Sequence, residues 1–282
     1  MLQIALPNKG ALSDDAVALV KEAGYRCRRS DRELRLQDAG NGVEFYFLRP
    51  RDIAVYVGEG VLDLGITGRD LVRDSSAGVE ELMALGFGRS AFHYAAPKDS
   101  GLTVDRFGGL RVATSYPNLV AADMAARGLE VTIVRLDGAV EISIQLGVAD
   151  VIADVVESGE TLRQAGLSLV GEPILKSEGV LIGRAGLAAA GADVRTFAKR
   201  LEGIIVARDY VMVEYDVPET CLAAACRTTP GIESPTVAPL SKPGWVAVKA
   251  MSRRVQVNRI MDELHALGAR GIIVTDIRTC RL

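Results

Sequence analysis

Apolar residues in the first third of the chain alternate between the spacing of a buried strand and that of an amphipathic helix. The opening segment LQIALP is a short apolar run, which predicts a strand. The residues after it place apolar side chains on one helical face, at Leu12, Ala16, Leu19, Val20 and Ala23. A strand, a short helix, a strand and the start of another helix are predicted next for VEFYFLR, RPRDIAVYVGEG, LDLGITG and RDLV. This βα alternation predicts an open α/β sheet.

A second round of alternating elements begins near FHYAAP. Its predicted elements are the strand LRVATSY, the helix PNLVAADMAARG, the strand EVTIVRL, the helix AVEISIQLG and the strand DVIADVV. Pro117 in the first turn and Gly128 at the end delimit the first of these helices. A helical stretch near GADVRTFAKRLEGIIVARDY then predicts a return to the first lobe. We therefore predict one lobe from residues 1–90 with 184–210, and a second lobe from residues 91–183.

The pattern changes after residue 210. Strand, helix, strand, strand, helix and strand are predicted in turn for YVMVEYDV, PETCLAAACRTT, PTVAPL, WVAVKAM, VQVNRIMDELHALGA and GIIVTDI. This βαββαβ order predicts a ferredoxin-like domain over residues 211–282. The predicted fold class is therefore α/β, with a two-lobed core like that of periplasmic binding proteins and a C-terminal ferredoxin-like domain.

Composition narrows the class of partner. The 282 residues carry a formal net charge of −3, with 49% hydrophobic and 24% charged residues, as in folded α/β proteins. Because there is no global basic field, nucleic acid is a poor candidate partner. We expect a cytoplasmic protein that binds no membrane, since the sequence shows neither a secretory leader nor an apolar run of about 18 residues. Four cysteines without CxxC spacing and two histidines predict reduced thiols rather than a zinc site.

The strand DVIADVV ends in a polar turn that carries two acids, Glu157 and Glu160, beside two hydroxyl residues and Gly159. In open α/β sheets, ligands bind where strands end and helix N-termini point into a crevice. The turn therefore fits an anion cradle whose acids serve another part of the same ligand. A solvated surface turn tolerates the same residues, so this stretch alone leaves both interpretations open.

From Glu141 to Leu162 the chain follows the pattern E-x5-G-x-A-x2-I-x-D-V-x2-S-G-x-T-L, which closely resembles the signature of the ATP phosphoribosyltransferases. PNKG near the start, RPRDIAVYVGEGVLDLGITGRD at 49–70 and the C-terminal βαββαβ unit extend the resemblance over the whole chain, in the long form of the family. The resemblance implies the first reaction of histidine biosynthesis. In this reaction, N1 of ATP displaces pyrophosphate from 5-phosphoribosyl 1-pyrophosphate (PRPP).

The chemistry of the turn agrees with a phosphoribosyl donor. A 5-phosphate needs backbone N–H groups and hydroxyls, which the turn offers, and Gly159 allows close approach. Ribose hydroxyls need a carboxylate acceptor, and we predict Asp154 for this role. Glu157 is expected to contribute mainly its main-chain N–H, and the side chain of Glu160 to point to solvent. The residues predicted to contact PRPP are Asp154, Glu157, Ser158, Gly159, Glu160 and Thr161.

A diphosphate also needs cations, and Lys9, Arg49 and Arg51 sit at predicted strand ends of the first lobe. A lone Lys or Arg is most often a solvated surface charge. Arg49, however, lies at a fixed junction before a proline and matches a family motif position, and Lys9 matches the family's KG. Ala11 stands where many members have Arg, which leaves open the cation that replaces that contact. The predicted catalytic residues are Lys9, Arg49 and Asp154.

Two residues are predicted to bind ATP. Asp70 is either the N-cap of the following helix or, as the resemblance implies, a neighbour of the purine. Tyr116 precedes a proline after a strand, where its ring can stack on adenine, although such aromatics more often serve packing. Because adenine N1 is a neutral nucleophile, no strong general base is required. Magnesium is expected as a cofactor on the leaving pyrophosphate, with its protein ligands left open.

The resemblance further implies that the C-terminal domain binds histidine as a feedback inhibitor between neighbouring subunits of a hexamer built from dimers. A free amino acid needs a carboxylate for its ammonium group and polar donors for its own carboxylate. Asp216 is predicted to supply the first and Ser234 and Thr236 the second, while Gly271 leaves room. A packing module that only assembles the oligomer is the alternative.

Two other function classes have a similar layout. One is a two-lobed small-molecule-binding protein without catalysis. Such a protein would not need the turn SGET (residues 158–161) with Asp154 upstream of it, and it usually carries a signal peptide or a DNA-binding arm. The other is a phosphoribosyltransferase that acts on a free base, a class whose chains are usually shorter and lack a ferredoxin-like tail. An assay of PRPP-dependent pyrophosphate release with ATP against free bases separates all three.

Overall fold

The computed structural model describes residues 1–27, 34–157, 159–186 and 191–281. The chain divides into two compact units. One comprises Met1–Lys21 with Tyr25–Ala198, and the other comprises Glu22–Gly24 with Lys199–Leu282. Across the described ranges, no helix is both long and apolar enough to span a bilayer.

The described residues form strands and helices in the following order along the chain. The strands are β1 (Leu2–Pro7), β2 (Arg35–Asp38), β3 (Val43–Leu48), β4 (Leu64–Gly68), β5 (Val79–Ala84), β6 (Ser90–Pro97), β7 (Arg111–Thr114), β8 (Thr132–Arg135), β9 (Val151–Val156), β10 (Leu167–Ser177), β11 (Gly179–Arg184), β12 (Tyr210–Pro218), β13 (Thr236–Pro239), β14 (Trp245–Arg253) and β15 (Arg270–Asp276). The helices are α1 (Ala11–Glu22), α2 (Pro50–Gly58), α3 (Arg69–Ser75), α4 (Pro117–Ala126), α5 (Ile142–Gln145), α6 (Glu160–Gln164), α7 (Ala192–Asp209), α8 (Leu222–Thr228) and α9 (Val257–Ala266).

The first sheet has the strand order β2-β3-β1-β4-β11-β5. β1 pairs in parallel with β3 and β4, which places the carboxyl ends of these three strands at one edge. All of β4 is buried, as expected of a parallel strand covered on both faces. β11 pairs antiparallel with β4 and β5, so the chain has returned to this sheet by Gly179. The sequence placed that return at residue 184, because the apolar run of β11 carries no boundary signal and only its pairing with β4 assigns it.

The second sheet has the strand order β10-β6-β9-β7-β8. β7 pairs in parallel with β8 and β9, so the ends of these strands also share one edge. α4 begins at Pro117 as predicted, and Gly128, with a φ of 69°, follows its end. The helix predicted for AVEISIQLG shrinks to the four residues of α5. Left-handed backbone at Ala139 (φ 50°) and at Gly147 (φ 67°) explains why it is short.

The third sheet has the strand order β13-β14-β12-β15, with every neighbouring pair antiparallel. This is the predicted ferredoxin-like arrangement, in which β14 lies between β12 and β13. Every second side chain of β12, beginning with Val211, is buried in a core shared with α8 and α9. The side chains between them, including Glu214 and Asp216, lie on the other face of the sheet and are half-buried.

Candidate active site

Strand ends of the first two sheets line a common cavity of about 650 Å³. The residues after β1 and β3 enter it from the first sheet, and the residues at the ends of β7, β8 and β9 enter it from the second. The charged and aromatic residues that line it include Lys9, Arg49, Arg51, Tyr116, Arg135 and Asp154. The cavity thus brings together all three residues predicted as catalytic.

Four basic side chains line this cavity together with the carboxylates of Asp52, Asp137 and Asp154. Arg49 is the N-cap residue of α2, and its extended backbone (φ −63°, ψ 133°) turns the chain from β3 into the helix. The side chains of Lys9 and Arg49 are exposed. Arg51 and Arg135 are the other two basic residues of this cavity. Sequence reasoning did not select Arg135, although its place at the end of β8 is the same signal that selected Arg49.

Asp154 lies near the end of β9 and is half-buried. Burial raises the pKa of its carboxyl above the ordinary range. The backbone N–H of Val155, 2.8 Å from Asp154 Oδ1, and the guanidinium of Arg51 lower this pKa, whereas the carboxylates of Glu141 and Asp70 raise it further. A strand end thus holds a carboxylate where its negative charge is costly. Such a group in a cleft is a candidate functional residue.

The turn predicted to bind the 5-phosphate, residues 157–161, is called the phosphate loop. It borders a second cavity of about 420 Å³, lined by Glu157, Gly159 and Thr161 together with Glu141 and Asp154. Gly159 has a left-handed backbone (φ 71°, ψ 9°) and is the N-cap of α6. Because L side chains rarely adopt this conformation, glycine has a conformational reason to be there. Ser158, also predicted to contact PRPP, lies outside the described residues.

The two glutamates of the loop differ in their surroundings. Glu157 is exposed and lines the cavity described above. Glu160 is exposed and accepts hydrogen bonds from Arg163 Nη2, at 2.6 Å, and from Gln164 Nε2, at 3.3 Å. Glu160 is thus bonded to residues of its own helix on the surface, and it does not line either cavity.

Asp70 is buried and lies against β10. Its Oδ1 accepts a hydrogen bond from Ser177 Oγ at 2.7 Å, and the same hydroxyl accepts one from the backbone N–H of Asp70 at 3.0 Å. The N-cap of α3 is Gly68, so the N-cap alternative for Asp70 is wrong. A Cβ at position 68 would collide with Asp70 Oδ1, so a side chain there would displace the carboxylate. Asp70 lines a smaller cavity of about 170 Å³ together with Lys9 and Tyr116.

Tyr116 lines both the large cavity and this smaller one. Its ring packs edge-on against Phe92, with centroids 5.1 Å apart, and Cζ of Arg51 lies 4.8 Å from its centroid. Burial, and then the neighbouring Asp70, raises the pKa of the Tyr116 hydroxyl. The ring therefore packs against the core and also faces the cavity, and Arg51 covers part of it.

The residues predicted to bind histidine fall into two groups on the third sheet. Asp216 and Gly271 are neighbours, since a Cβ at Gly271 would lie 4.0 Å from Asp216 Oδ2. Thr236 begins β13, on the far side of β14. From strand spacing, its Cα lies about 12 Å from that of Asp216. Ser234 precedes Thr236 in an exposed turn. One chain therefore does not bring the predicted carboxylate and hydroxyls together.

Comparison with known proteins places this geometry in a family. A family model described as ATP phosphoribosyltransferase matches residues 49–203, and a second, described as the HisG C-terminal domain, matches residues 207–279. ATP phosphoribosyltransferases from Salinibacter ruber and Mycobacterium tuberculosis are 60% and 55% identical to this chain, and each match covers the full length of both chains.

Among solved structures, the ATP phosphoribosyl transferase (HisG:HisZ) complex from Thermotoga maritima contains a similar chain, with a TM-score of 0.64 and 25% identity. The match covers 73% of this chain and 99% of that one. The sequence signature, the two-lobed site and these full-length matches agree, and the chain belongs to the ATP phosphoribosyltransferase family.

Proposed function

We propose that the cavity between the first two sheets is where this transferase carries out the reaction of its family. N1 of ATP forms a bond to C1 of PRPP as the bond from C1 to the pyrophosphate oxygen breaks. One observation carries the proposal. Lys9 and Arg49 from the first sheet face the same cavity as Asp154 from the second, directly beside the loop that matches the family signature.

The PRPP end of the site is assigned to β9 and the loop after it. Asp154 accepts hydrogen bonds from ribose hydroxyls, which is a reason to keep a carboxylate where burial opposes its charge. Gly159 lets the loop backbone approach the 5-phosphate, to which Thr161 and the main chain of Glu157 donate. The role proposed for Ser158 rests on the family signature alone.

The pyrophosphate end is assigned to the cations of the large cavity. Lys9 and Arg49 hold the leaving group, and Arg135 at the end of β8 adds positive charge to the same cavity. Positive charge aimed at developing negative charge lowers the barrier because it is already in place when the bond breaks. A neutral nucleophile needs no protein base, so alignment of the two substrates supplies much of the remaining catalysis.

Magnesium fits this site as a companion of the diphosphate. Where the structure describes the chain, no group of three or more Asp, Glu, His or Cys side chains forms a ready-made metal cage. Magnesium is usually bound by one or two carboxylates together with substrate phosphates, and Asp154 is the carboxylate that we assign to that role among the three that line the cavity. The ion would neutralise charge on the departing pyrophosphate.

ATP is assigned to the neighbourhood of Asp70 and Tyr116. Both line the small cavity, and Tyr116 also lines the large one, so a purine there is adjacent to the PRPP end. The hydrogen bond from Ser177 Oγ to Asp70 Oδ1, at 2.7 Å, fixes the orientation of the Asp70 carboxylate. An assay of PRPP-dependent pyrophosphate release tests the assignment: release is expected with ATP and not with free bases. Equal release with adenine would contradict the ATP site.

The C-terminal domain is proposed as the histidine sensor. Asp216 beside Gly271 offers a carboxylate for an ammonium group, and the hydroxyls of Ser234 and Thr236 lie across β14. A ligand that uses both groups would be completed by a second copy of the chain, in agreement with a hexamer built from dimers. The open face of this sheet carries Ile273 with 56% of its surface exposed, which suits burial in such an assembly.

The assignment of regions follows from these roles. We propose that residues 1–89, with the return from β11 to residue 210, form the first lobe, that β6 to β10 form the second, and that residues 211–282 form the regulatory domain. The four cysteines are free thiols, which suits the cytoplasmic location proposed for the enzyme.

A further inference from the structure

Asp74, at the end of α3, is a buried carboxylate that the reaction proposed above does not use. Only 4% of its surface is exposed. Its Oδ1 accepts hydrogen bonds from the backbone N–H groups of Asn118, at 3.0 Å, and of Leu119, at 3.2 Å. Its Oδ2 accepts a hydrogen bond from Arg51 Nη1 at 2.8 Å. Asn118 Nδ2 in turn donates to the main-chain oxygen of Asp74 at 2.7 Å.

These bonds connect the two sheets. α3 follows β4 of the first sheet, whereas α4 follows β7 of the second. The first N–H groups of a helix have no partner within it, and a capping side chain normally comes from the residue just before the helix. Within the described part of the chain, Tyr116 occupies that position in α4 without a side-chain capping bond. Asp74 supplies the cap instead, from the other lobe.

The second carboxylate oxygen of Asp74, Oδ2, makes a contact that capping of α4 does not require. It holds the guanidinium of Arg51, whose Cζ lies 4.8 Å from the ring centroid of Tyr116. Tyr116 is itself the N-cap residue of α4, so its backbone position depends on the same carboxylate. Asp74 therefore fixes both members of the Arg51–Tyr116 stack, one through each oxygen.

We propose that Asp74 is a positioning residue for ATP, which clamps α4 to the first lobe and holds Arg51 against Tyr116 where the two face the purine. This inference rests on the ATP site proposed above. A planar guanidinium stacks on aromatic surfaces, and a fixed one loses less freedom when a ligand binds. The charge of Asp74, and not only its capping oxygen, is therefore needed.

Asp74→Asn separates the two tasks. The amide keeps an oxygen for the N–H groups of α4 but presents an NH₂ group to Arg51, which removes the ion pair. We expect the KM for ATP to rise roughly tenfold, since a hydrogen bond to a charged group is lost at a partly exposed site. The KM for PRPP should stay within about twofold, and the melting temperature should change little. Asp105→Asn, at an exposed carboxylate on a surface turn, is the matched control.

A double-mutant cycle with Arg51→Gln gives a result that a purely structural role would not. If Asp74 acts through Arg51, adding Asp74→Asn to Arg51→Gln should raise the KM for ATP no further. A full additional effect in that background, an unchanged KM for ATP, or an equal loss in both KM values would overturn the proposal. If Asp74→Asn does not fold, Asp74→Ser replaces it, because serine keeps a capping oxygen and lacks the charge.

A different measurement tests whether ATP binds at the proposed site at all. Tyr116→Ala should weaken ATP binding if the purine lies there. An unchanged KM for ATP in a folded Tyr116→Ala protein would refute the proposed ATP site. A raised KM in Tyr116→Ala together with a normal KM in Asp74→Asn would refute only the positioning role of Asp74.

Discussion

Replacement of Asp154 by Asn removes one charge from the centre of the proposed site and keeps the shape of the side chain. Asp154 borders both the large cavity and the cavity of the phosphate loop. An amide that takes its place loses a charge-assisted bond to a ribose hydroxyl, which is worth about 1.5–3 kcal/mol. We therefore expect kcat/KM for PRPP to fall roughly 10- to 150-fold in an assay of pyrophosphate release.

The same change should stabilise the fold at neutral pH. Burial raises the folded-state pKa of Asp154 above the ordinary value of 3.8, so the folded protein binds this proton more tightly than the unfolded chain does. The free energy of unfolding contributed by this group therefore falls as pH rises from the ordinary value to the raised one, and the loss is complete above that window. Because Asn does not ionise, Asp154→Asn should have the higher melting temperature at pH 7, and this advantage should vanish in acid.

Glu160→Gln is the matched control, since it changes a neighbouring acid that is exposed and bonded to Arg163. It should keep nearly full activity and show no such stabilisation. Equal loss of activity in the two variants would refute the division of roles between the two acids. A lower melting temperature for Asp154→Asn than for the wild type at pH 7 would refute the argument from burial.

Three further predictions concern the loop, the regulatory domain and the thiols. Gly159→Val should weaken PRPP affinity roughly 10- to 150-fold, because phosphate contacts are lost. The control is Gly101→Val, at an exposed turn with a similar φ of 60°, which should leave PRPP affinity unchanged. Unchanged PRPP affinity in folded Gly159→Val would exclude the loop from the site. Asp216→Ala should stay active but lose histidine inhibition, whose coupling is expected to be roughly 5- to 150-fold; full inhibition at the wild-type histidine concentration would exclude Asp216. Burial raises the pKa of Cys27 to about 11. Cys27 should therefore react with a thiol reagent at pH 8 far more slowly than the partly exposed Cys221. Equal reaction rates would contradict the burial of Cys27.

The order of helices and strands was largely predictable because each element carries its own signal. Alternation of apolar residues marks β12 and β14, and Pro117 marks the start of α4. The exceptions have local or long-range causes. The helix predicted after β8 is cut short by the left-handed backbone of Ala139, and β11 joins the first sheet through pairing with strands far away in sequence.

The site was predictable where a motif carries it. Lys9, Arg49 and Asp154, which were predicted to be catalytic, line one cavity, and their catalytic roles are proposals. The tertiary contacts that hold other residues of the site in place were not predictable. Ser177 bonds Asp70 across 107 positions of sequence, and Asp74 caps α4 from another lobe, contacts that only the tertiary fold creates. The N-cap alternative for Asp70 was wrong because α3 starts at Arg69, two residues earlier than that alternative requires.

The proposed reaction cavity is tested most directly by pyrophosphate release from ATP and PRPP in the wild-type protein and in the double variant Lys9→Gln, Arg49→Gln. Both side chains are exposed, so the variant should fold with a normal melting temperature. We expect the wild type to release one pyrophosphate for each ATP consumed, and the folded double variant to lose most of its kcat/KM for PRPP. Wild-type kcat/KM in the folded double variant would contradict it, because the reaction would then take place without the two cations assigned to the leaving group.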